Sequence, residues 1–387
     1  MKGRRLLMIP GPIEFSQEVL AEMAIPTLSH VDPQFIELFG QALEKMRKVW
    51  LAPSGQPFAV AGSGTFAMEL AAANITEPGD RVLVVHTGYF SDRMADIFRL
   101  HGAEVDIAKS EVGDLPSVEA VRTMLRAVPY KILSITHVDT STGCRADVRA
   151  LAAAARETGA LVLVDGVCAV GGEELRMEEW GVDIALTASQ KAIGVPPGLA
   201  LLVASRKAVE VFKARRHPVR SYYADWANWL PVMEAYEARK PAYFGTPPVN
   251  LVRALNVSLG QILAEGMESR FERHARSARA FRAGLSAMGL GFVPARPELY
   301  ANTLTAAWYP AGIDASVLAH IAAEGATLAG GLHPAIKTRY FRIGHMGMSD
   351  TGEILATLGA IERGFAKAGF RFEHGAAVAA AQAAYLS

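Results

Sequence analysis

An acid and a lysine stand at the ends of two buried runs. Asp165 closes the aliphatic stretch ALVLV (160–164), and Lys191 ends a second one, DIALTASQ (183–190), one crossover later. Each stretch reads as a strand covered on both faces. Each charged residue is therefore presented at a strand's carboxyl end, and in an open parallel sheet those ends face a common crevice. An amine and a carboxylate held in this way suit pyridoxal 5′-phosphate (PLP). The amine can form a Schiff base with the aldehyde, and the acid can keep a proton on the pyridine nitrogen. A buried lysine sheds its charge more readily than an arginine, which favours imine chemistry. Each residue alone has a plainer reading: Asp165 as a helix cap, Lys191 as a solvated strand end. Their pairing and surroundings carry the argument.

Several neighbouring segments could serve the same crevice. Gly62-Ser63-Gly64-Thr65 lies between a strand and a helix, where free N–H groups bind phosphate. It also fits the loose dinucleotide fingerprint, but the next strand ends in Val85 and His86 and lacks the acid that would hold a ribose. A monophosphate is the better match. Phe90 follows that next strand and could stack on a flat ring, or it could simply be core. Thr140, in a polar turn closed by Gly143, could offer a hydroxyl to cofactor or substrate. Gln190 precedes Lys191 and could reach a phosphate. Arg342 sits in the apolar stretch 340–344 and has two readings: a clamp for a substrate carboxylate, or an edge-strand side chain facing water. There is no HExxH, CxxC, EF-hand loop, GxSxG elbow or Walker lysine, and the ten histidines are scattered, so no metal site is expected.

The elements that must position these groups alternate strand and helix. Strands are predicted at 58–62, 81–85, 131–137, 160–165, 183–187 and 199–204. Helices are predicted at 65–74, 91–101 and 147–158. Strict alternation implies an α/β fold with a parallel sheet and right-handed crossovers. A long helical pattern runs from about 247 to 288 with Gly266 as a break. Its arginines at 270, 273, 276, 279 and 282 read as a solvated face. Strands at 302–309 and 339–343 and helices at 316–324 and 352–368 follow, as a small α+β domain, and then an Ala-rich helix at 375–386. The expected division is an N-terminal segment (1–20), a large domain (21–260) and a small C-terminal domain (261–387).

Composition limits the partners. The chain has 387 residues, 51% of them hydrophobic, which suits a compact enzyme and argues against disorder. Lys plus Arg and Asp plus Glu are both 39, so nothing attracts a nucleic acid. Cys144 and Cys168 are the only cysteines, so a reducing, cytoplasmic location is expected. The basic start (1–10) has too short an apolar run for a signal peptide, no stretch suits a membrane span, and the last residues carry no targeting tripeptide.

Taken in order, these pieces resemble the class V aminotransferases of the fold-type I PLP enzymes, most of all the alanine–glyoxylate and serine–pyruvate group. The resemblance rests on Pro10-Gly11-Pro12, on Gly62–Gly64 with Met68 and Glu69, and on Thr136 and His137 with Ser141–Gly143. It continues through Val164 and Asp165 with Gly171 and Gly172, Ser189–Ala192 with Pro196–Gly198, Thr246–Val249, Gly330–Leu332 and Arg342–Gly344. It implies a large domain with a mostly parallel seven-stranded sheet and a small α+β domain. It also implies transamination between small amino acids and 2-oxo acids, with ping-pong kinetics. Lys191 would then be the Schiff-base lysine and proton carrier, and Asp165 the partner of the pyridine nitrogen. Phe90 matches the stacking position, which is Trp in the animal enzymes, and Val167 would pack under the ring. Ser63, Gly64, Thr65 (His in animal members) and Gln190 would bind phosphate. Thr140 would lie near the cofactor hydroxyl and the substrate, and Arg342 would hold the carboxylate. Tyr243 and Thr246 match residues that reach the phosphate of a neighbouring subunit, which implies a homodimer. Other activities of the same fold stay open: a lyase, an epimerase, a ureidoglycine or aminophosphonate transaminase, or a non-catalytic complex subunit. A desulfurase would need a cysteine in the C-terminal half, where there is none.

Overall fold

The computed structural model describes residues 5–386. The first four residues of the basic start and the last residue, Ser387, lie outside it. The strands, in chain order, are β1 (Leu6–Leu7), β2 (Gln56–Ala61), β3 (Arg81–Val85), β4 (Glu104–Ala108), β5 (Ile132–Thr136), β6 (Leu161–Asp165), β7 (Ile184–Ala188), β8 (Leu199–Ala204), β9 (Leu304–Trp308), β10 (Ala326–Thr327), β11 (Ala329–Gly330) and β12 (Tyr340–Gly344).

The main sheet has seven strands in the order β2-β8-β7-β6-β5-β3-β4. Strands β5 to β8 are buried along their whole length, as their unbroken aliphatic runs require. The edge strand β4 was not legible: its Glu104 and Asp106 break the apolar pattern, and it is only partly buried. The sheet is mostly parallel, as the resemblance implies; the exception within the alternating series is β8, which runs antiparallel to both β7 and β2. The reason lies in the connection. A parallel return needs a helical crossover, and residues 189–198 supply only a loop ending in Pro196-Pro197-Gly198. The helix Pro33–Val49 was also missed, although Asp32 caps it, Pro33 opens it, and Phe35, Ile36, Phe39, Leu43 and Met46 form its buried stripe.

A large hydrophobic core runs from Val19 to Phe271, and a second joins Met8 to residues between Ala280 and Ala381. The helical pattern after 247 is two helices, Val249–Glu265 and Met267–Ala287, broken at Gly266. The second sheet has the order β11-β12-β9, all antiparallel. This places Arg342 on a central strand, between Ala329 and Ala306, and overturns the edge-strand reading. β1 pairs with β10, so the chain's start is built into its C-terminal third. Among the described residues, no helix is long and apolar enough to cross a membrane.

Candidate active site

After β3 the chain builds β4 on one side and then returns to place β5 on the other. The crevice at this reversal, above the carboxyl ends of the strands, is where open α/β sheets bind ligands. Here it holds a cavity of about 240 Å³. Asp165 enters from the end of β6 and Lys191 from the loop after β7, and these are adjacent parallel strands. Ser63, Gly64 and Thr65 enter at the start of the helix after β2, Phe90 after β3, and Thr140 after β5; Val167 and Gln190 also line it. The sequence-predicted residues therefore converge, with three exceptions. Arg342 stands just behind the wall. Tyr243, 64% exposed, and Thr246, also exposed, lie outside the cavity of their own chain.

Burial tunes the central pair. The Lys191 amine is held below its ordinary range, mainly by burial and with some help from the Arg342 guanidinium, while Cys168 and Asp165 oppose the shift. It donates to the Pro10 carbonyl. The Asp165 carboxyl is pushed up to about 6, again mainly by burial and against the Val167 N–H, which donates to its Oδ1 at 3.0 Å. Its other oxygen takes no donor among the described residues. A cationic N–H in the cavity is the partner this acid lacks.

The rest of the lining fits the same ligand. Ser63 caps its helix by accepting from the Phe66 N–H, while the first-turn N–H groups of Gly64 and Thr65 have no acceptor within the helix. A Cβ at Gly64 would come 3.1 Å from Ala188 Cβ and 3.2 Å from Val167 Cγ2, so a larger residue would have to push these neighbours back by a few tenths of an ångström. Gln190 is left with a buried amide oxygen that has no donor, and its amide nitrogen is the group that can donate to an anion in the cavity. Phe90 offers a flat face beside Thr140 and Val167. A flat, cationic ring with an anionic tail matches every one of these groups, so the residues present fit PLP.

Arg342 donates through Nε to the Gly330 carbonyl at 2.9 Å and through a terminal nitrogen to the Thr140 carbonyl at 3.1 Å. Burial lowers its pKa. No carboxylate lies within ion-pair distance of it among the described residues. Its position beside the Thr140 turn suits a carboxylate brought in from the cavity.

Sequence reasoning missed two residues here. Asp139, fully buried, accepts through one oxygen from the Phe90 N–H at 3.0 Å and the Thr87 hydroxyl at 3.1 Å. Through the other it accepts from the Ser141 N–H at 2.9 Å and the Ser141 hydroxyl at 2.6 Å. It thus fixes the start of the Tyr89–Leu100 helix, and with it Phe90, against the Thr140 turn. Gly88 (φ +149°) completes the lock, because a Cβ there would lie 2.7 Å from Ser141 Oγ. The signal was an acid inside a turn that otherwise reads as merely polar. The second residue, Arg93, lines the cavity one turn beyond Phe90. The basic face expected to be solvated also needs correction. Arg270 is buried and donates to the carbonyls of Gly171 and Ala192 at 2.6 and 2.7 Å. Arg282 donates to the Ala301 carbonyl at 2.7 Å. Only Arg276 and Arg279 are exposed.

Comparison with known proteins is consistent along the chain. The family described as aminotransferase class-V matches residues 14–347. The chain is similar to alanine–glyoxylate aminotransferase 1 of Saccharomyces cerevisiae, 39% identical over 89% of this chain and 92% of that protein. It is also similar to L-aspartate–glyoxylate aminotransferase of Paracoccus denitrificans, 36% identical over 100% and 97%. Among solved structures, the ureidoglycine–glyoxylate aminotransferase of Bacillus subtilis superposes with a TM-score of 0.92 at 29% identity, covering 100% of this chain and 99% of the other.

Proposed function

The chain belongs to the class-V aminotransferases, PLP-dependent transaminases of fold type I, and from that premise we propose that it moves an amino group from a small amino acid, alanine or serine, to glyoxylate or pyruvate. The observation that carries the proposal is the convergence of Asp165 and Lys191 on one cavity that Ser63, Gly64, Thr65 and Gln190 also line. PLP, when bound, supplies an aldehyde for amine exchange and an electron sink for the pair left on the substrate Cα.

The chain's residues divide the remaining work. Lys191 Nζ, whose affinity for a proton is lowered by burial, takes the proton from Cα and returns it in the reverse half-reaction. Asp165 holds the proton on the ring nitrogen, where its anionic form is worth most in a dry site. Phe90 and Val167 pack the two faces of the ring, with Phe90 set by Asp139. Ser63, Gly64, Thr65 and Gln190 hold the phosphate, and Thr140 serves the cofactor hydroxyl and the substrate. Arg342 orients the substrate carboxylate. The exposure of Tyr243 and Thr246 supports a homodimer in which each chain lends these two residues to the other's phosphate. The two free, buried thiols support a reducing, cytoplasmic setting.

The test is a grid of donors (alanine, serine, aspartate, 2-aminoethylphosphonate) against acceptors (glyoxylate, pyruvate), with alanine run against glyoxylate alone, read as the oxo product of each donor: a keto acid from the amino acids and an aldehyde from the phosphonate. Alanine or serine with glyoxylate should be fastest, with parallel double-reciprocal lines. Alanine and serine should differ by only about 1–3 kcal/mol in transition-state terms, the worth of a single hydroxyl in a small pocket. Arg342→Ala should raise KM for amino acids about 10- to 100-fold while leaving the slow reaction of the matching decarboxylated amines unchanged. No keto acid from any donor would end the proposal, and equal losses for acids and amines would end the role of Arg342.

A further inference from the structure

The residues assigned to the phosphate, Ser63, Gly64, Thr65 and Gln190, are all neutral donors, yet a phosphate monoester carries about −1.5 to −2 charges at neutral pH. The helix that begins at Gly64 offsets only about half a charge. The charged side chains that line the cavity are Arg93, Asp165 and Lys191. Asp165 repels an anion, and Lys191 is committed to the imine end. Arg93 remains.

Its surroundings point the same way. One terminal nitrogen donates to the Thr65 hydroxyl at 2.9 Å, and the other reaches the Tyr89 hydroxyl at 3.3 Å. A guanidinium has five N–H donors, so three remain. Its carbon lies 4.9 Å from the centre of the Phe90 ring and 5.1 Å from that of Tyr89. Among the described residues no acid lies within ion-pair distance of it: its charge is felt only weakly at Asp165, the last of the influences on that carboxyl, and Asp92 and Asp96 on the same helix face His86 and Arg99 instead. A cation held against a neutral hydroxyl at the rim of a phosphate cradle, with donors to spare and no counter-ion, lacks an anion.

We propose that Arg93 is the cationic partner of the cofactor phosphate and that, through its contact with Phe90, it joins the grip on the phosphate to the stack on the ring. This rests on the PLP placement above and adds a binding residue to it.

The test is equilibrium titration of the cofactor-free protein with PLP and with pyridoxal, which has the same ring and aldehyde but no phosphate. Wild type is compared with Arg93→Gln and Arg93→Lys. Arg93→Gln should weaken PLP about 10- to 100-fold, the worth of a charge-assisted contact, and pyridoxal less than about 3-fold. Arg93→Lys should recover part of the PLP affinity and, as the milder change, guards against a folding failure in the first variant. Equal losses for the two vitamers would mean that Arg93 acts only on the ring, through Phe90, and would overturn the proposal. So would unchanged PLP affinity combined with a selective fall in kcat/KM for aspartate over alanine, which would give the guanidinium to the distal carboxylate of an acidic donor. A wild-type protein that takes up neither vitamer would instead refute the cofactor placement, a result distinct from both.

Discussion

At the scale of single residues, burial drives Lys191 and Asp165 toward neutrality from opposite sides. Lys191→Ala should abolish transamination while leaving PLP bound without a covalent link, so that borohydride no longer fixes it to the chain; retained turnover would refute the lysine's role. Asp165 makes a sharper prediction. Its folded pKa, about 6, lies above the ordinary 3.8. Its contribution to stability is therefore full below about pH 4 and is lost as pH rises through about 6, a loss on the order of 3 kcal/mol in the cofactor-free protein. Asp165→Asn cannot ionise and escapes that loss. Urea unfolding of the cofactor-free proteins should show the variant gaining on wild type between about pH 4 and 7, and PLP should reverse the order because the ring nitrogen gives the anion its counter-charge. Parallel pH profiles would mean that the acid is solvated rather than desolvated.

At the scale of elements, the site depends on what braces the two loops carrying this pair. Arg270, on the helix Met267–Ala287, donates to the carbonyl of Gly171 beyond β6, to that of Ala192 directly after Lys191, and to Glu265. One side chain thus ties both loops to a helix outside the sheet. Arg270→Met should cost about 3 kcal/mol of stability, because two buried carbonyls lose their donor, while Glu265 keeps its bonds from Arg273. It should lower kcat more than it raises KM, since the lysine loop is loosened rather than the substrate contacts. Arg270→Lys should restore little, because a single ammonium cannot span the diverging acceptors. A loss under about 0.5 kcal/mol would show that the brace is dispensable. This arginine also marks the limit of the sequence. The ends of β6 and β7 were legible because long aliphatic runs can only be buried strands, and what caps such strands faces the crevice. The stripe of arginines after Gly266 was not legible, because spacing reveals a shared helix face and not whether the face meets water or backbone carbonyls. Arg93 is hidden for the same reason. Asp139 is hidden because its work depends on Gly88 and Ser141 coming together from two different strand ends. The direction of β8 depends on a missing crossover helix, and the central position of Arg342 on a two-residue strand, β11, too short to be seen by pattern.

At the scale of the whole molecule, distant parts of the chain meet over Lys191. β1 pairs with β10, the Met8 carbonyl accepts from Gly344, and the Ile13 N–H donates to the Gln190 carbonyl at 3.2 Å. One N-terminal strap thus runs from the C-terminal third to the lysine loop. Gly11, within the strap, leaves no room for a Cβ, which would sit 2.6 Å from the lysine stem. Tyr243 and Thr246 are exposed on the same chain, and the homodimer proposed above would bring them to the phosphate of a neighbouring site, beside that chain's own Arg93. If each site draws its lysine from one chain and these two hydroxyls from the other, two crippled proteins can repair each other. Lys191→Ala keeps the hydroxyls and lacks the amine; Tyr243→Ala/Thr246→Ala keeps the amine and lacks the hydroxyls. Unfolded together and refolded at equal amounts, half of the dimers are hybrids. One of the two sites in each hybrid is intact, so activity should return to roughly a quarter of wild type under two-fold symmetry. The same proteins refolded separately and then combined without exchange should give only the sum of their residual rates. Recovery no greater than that sum, or a monomer by sedimentation at working concentration, would place the whole site within one chain and remove Tyr243 and Thr246 from it.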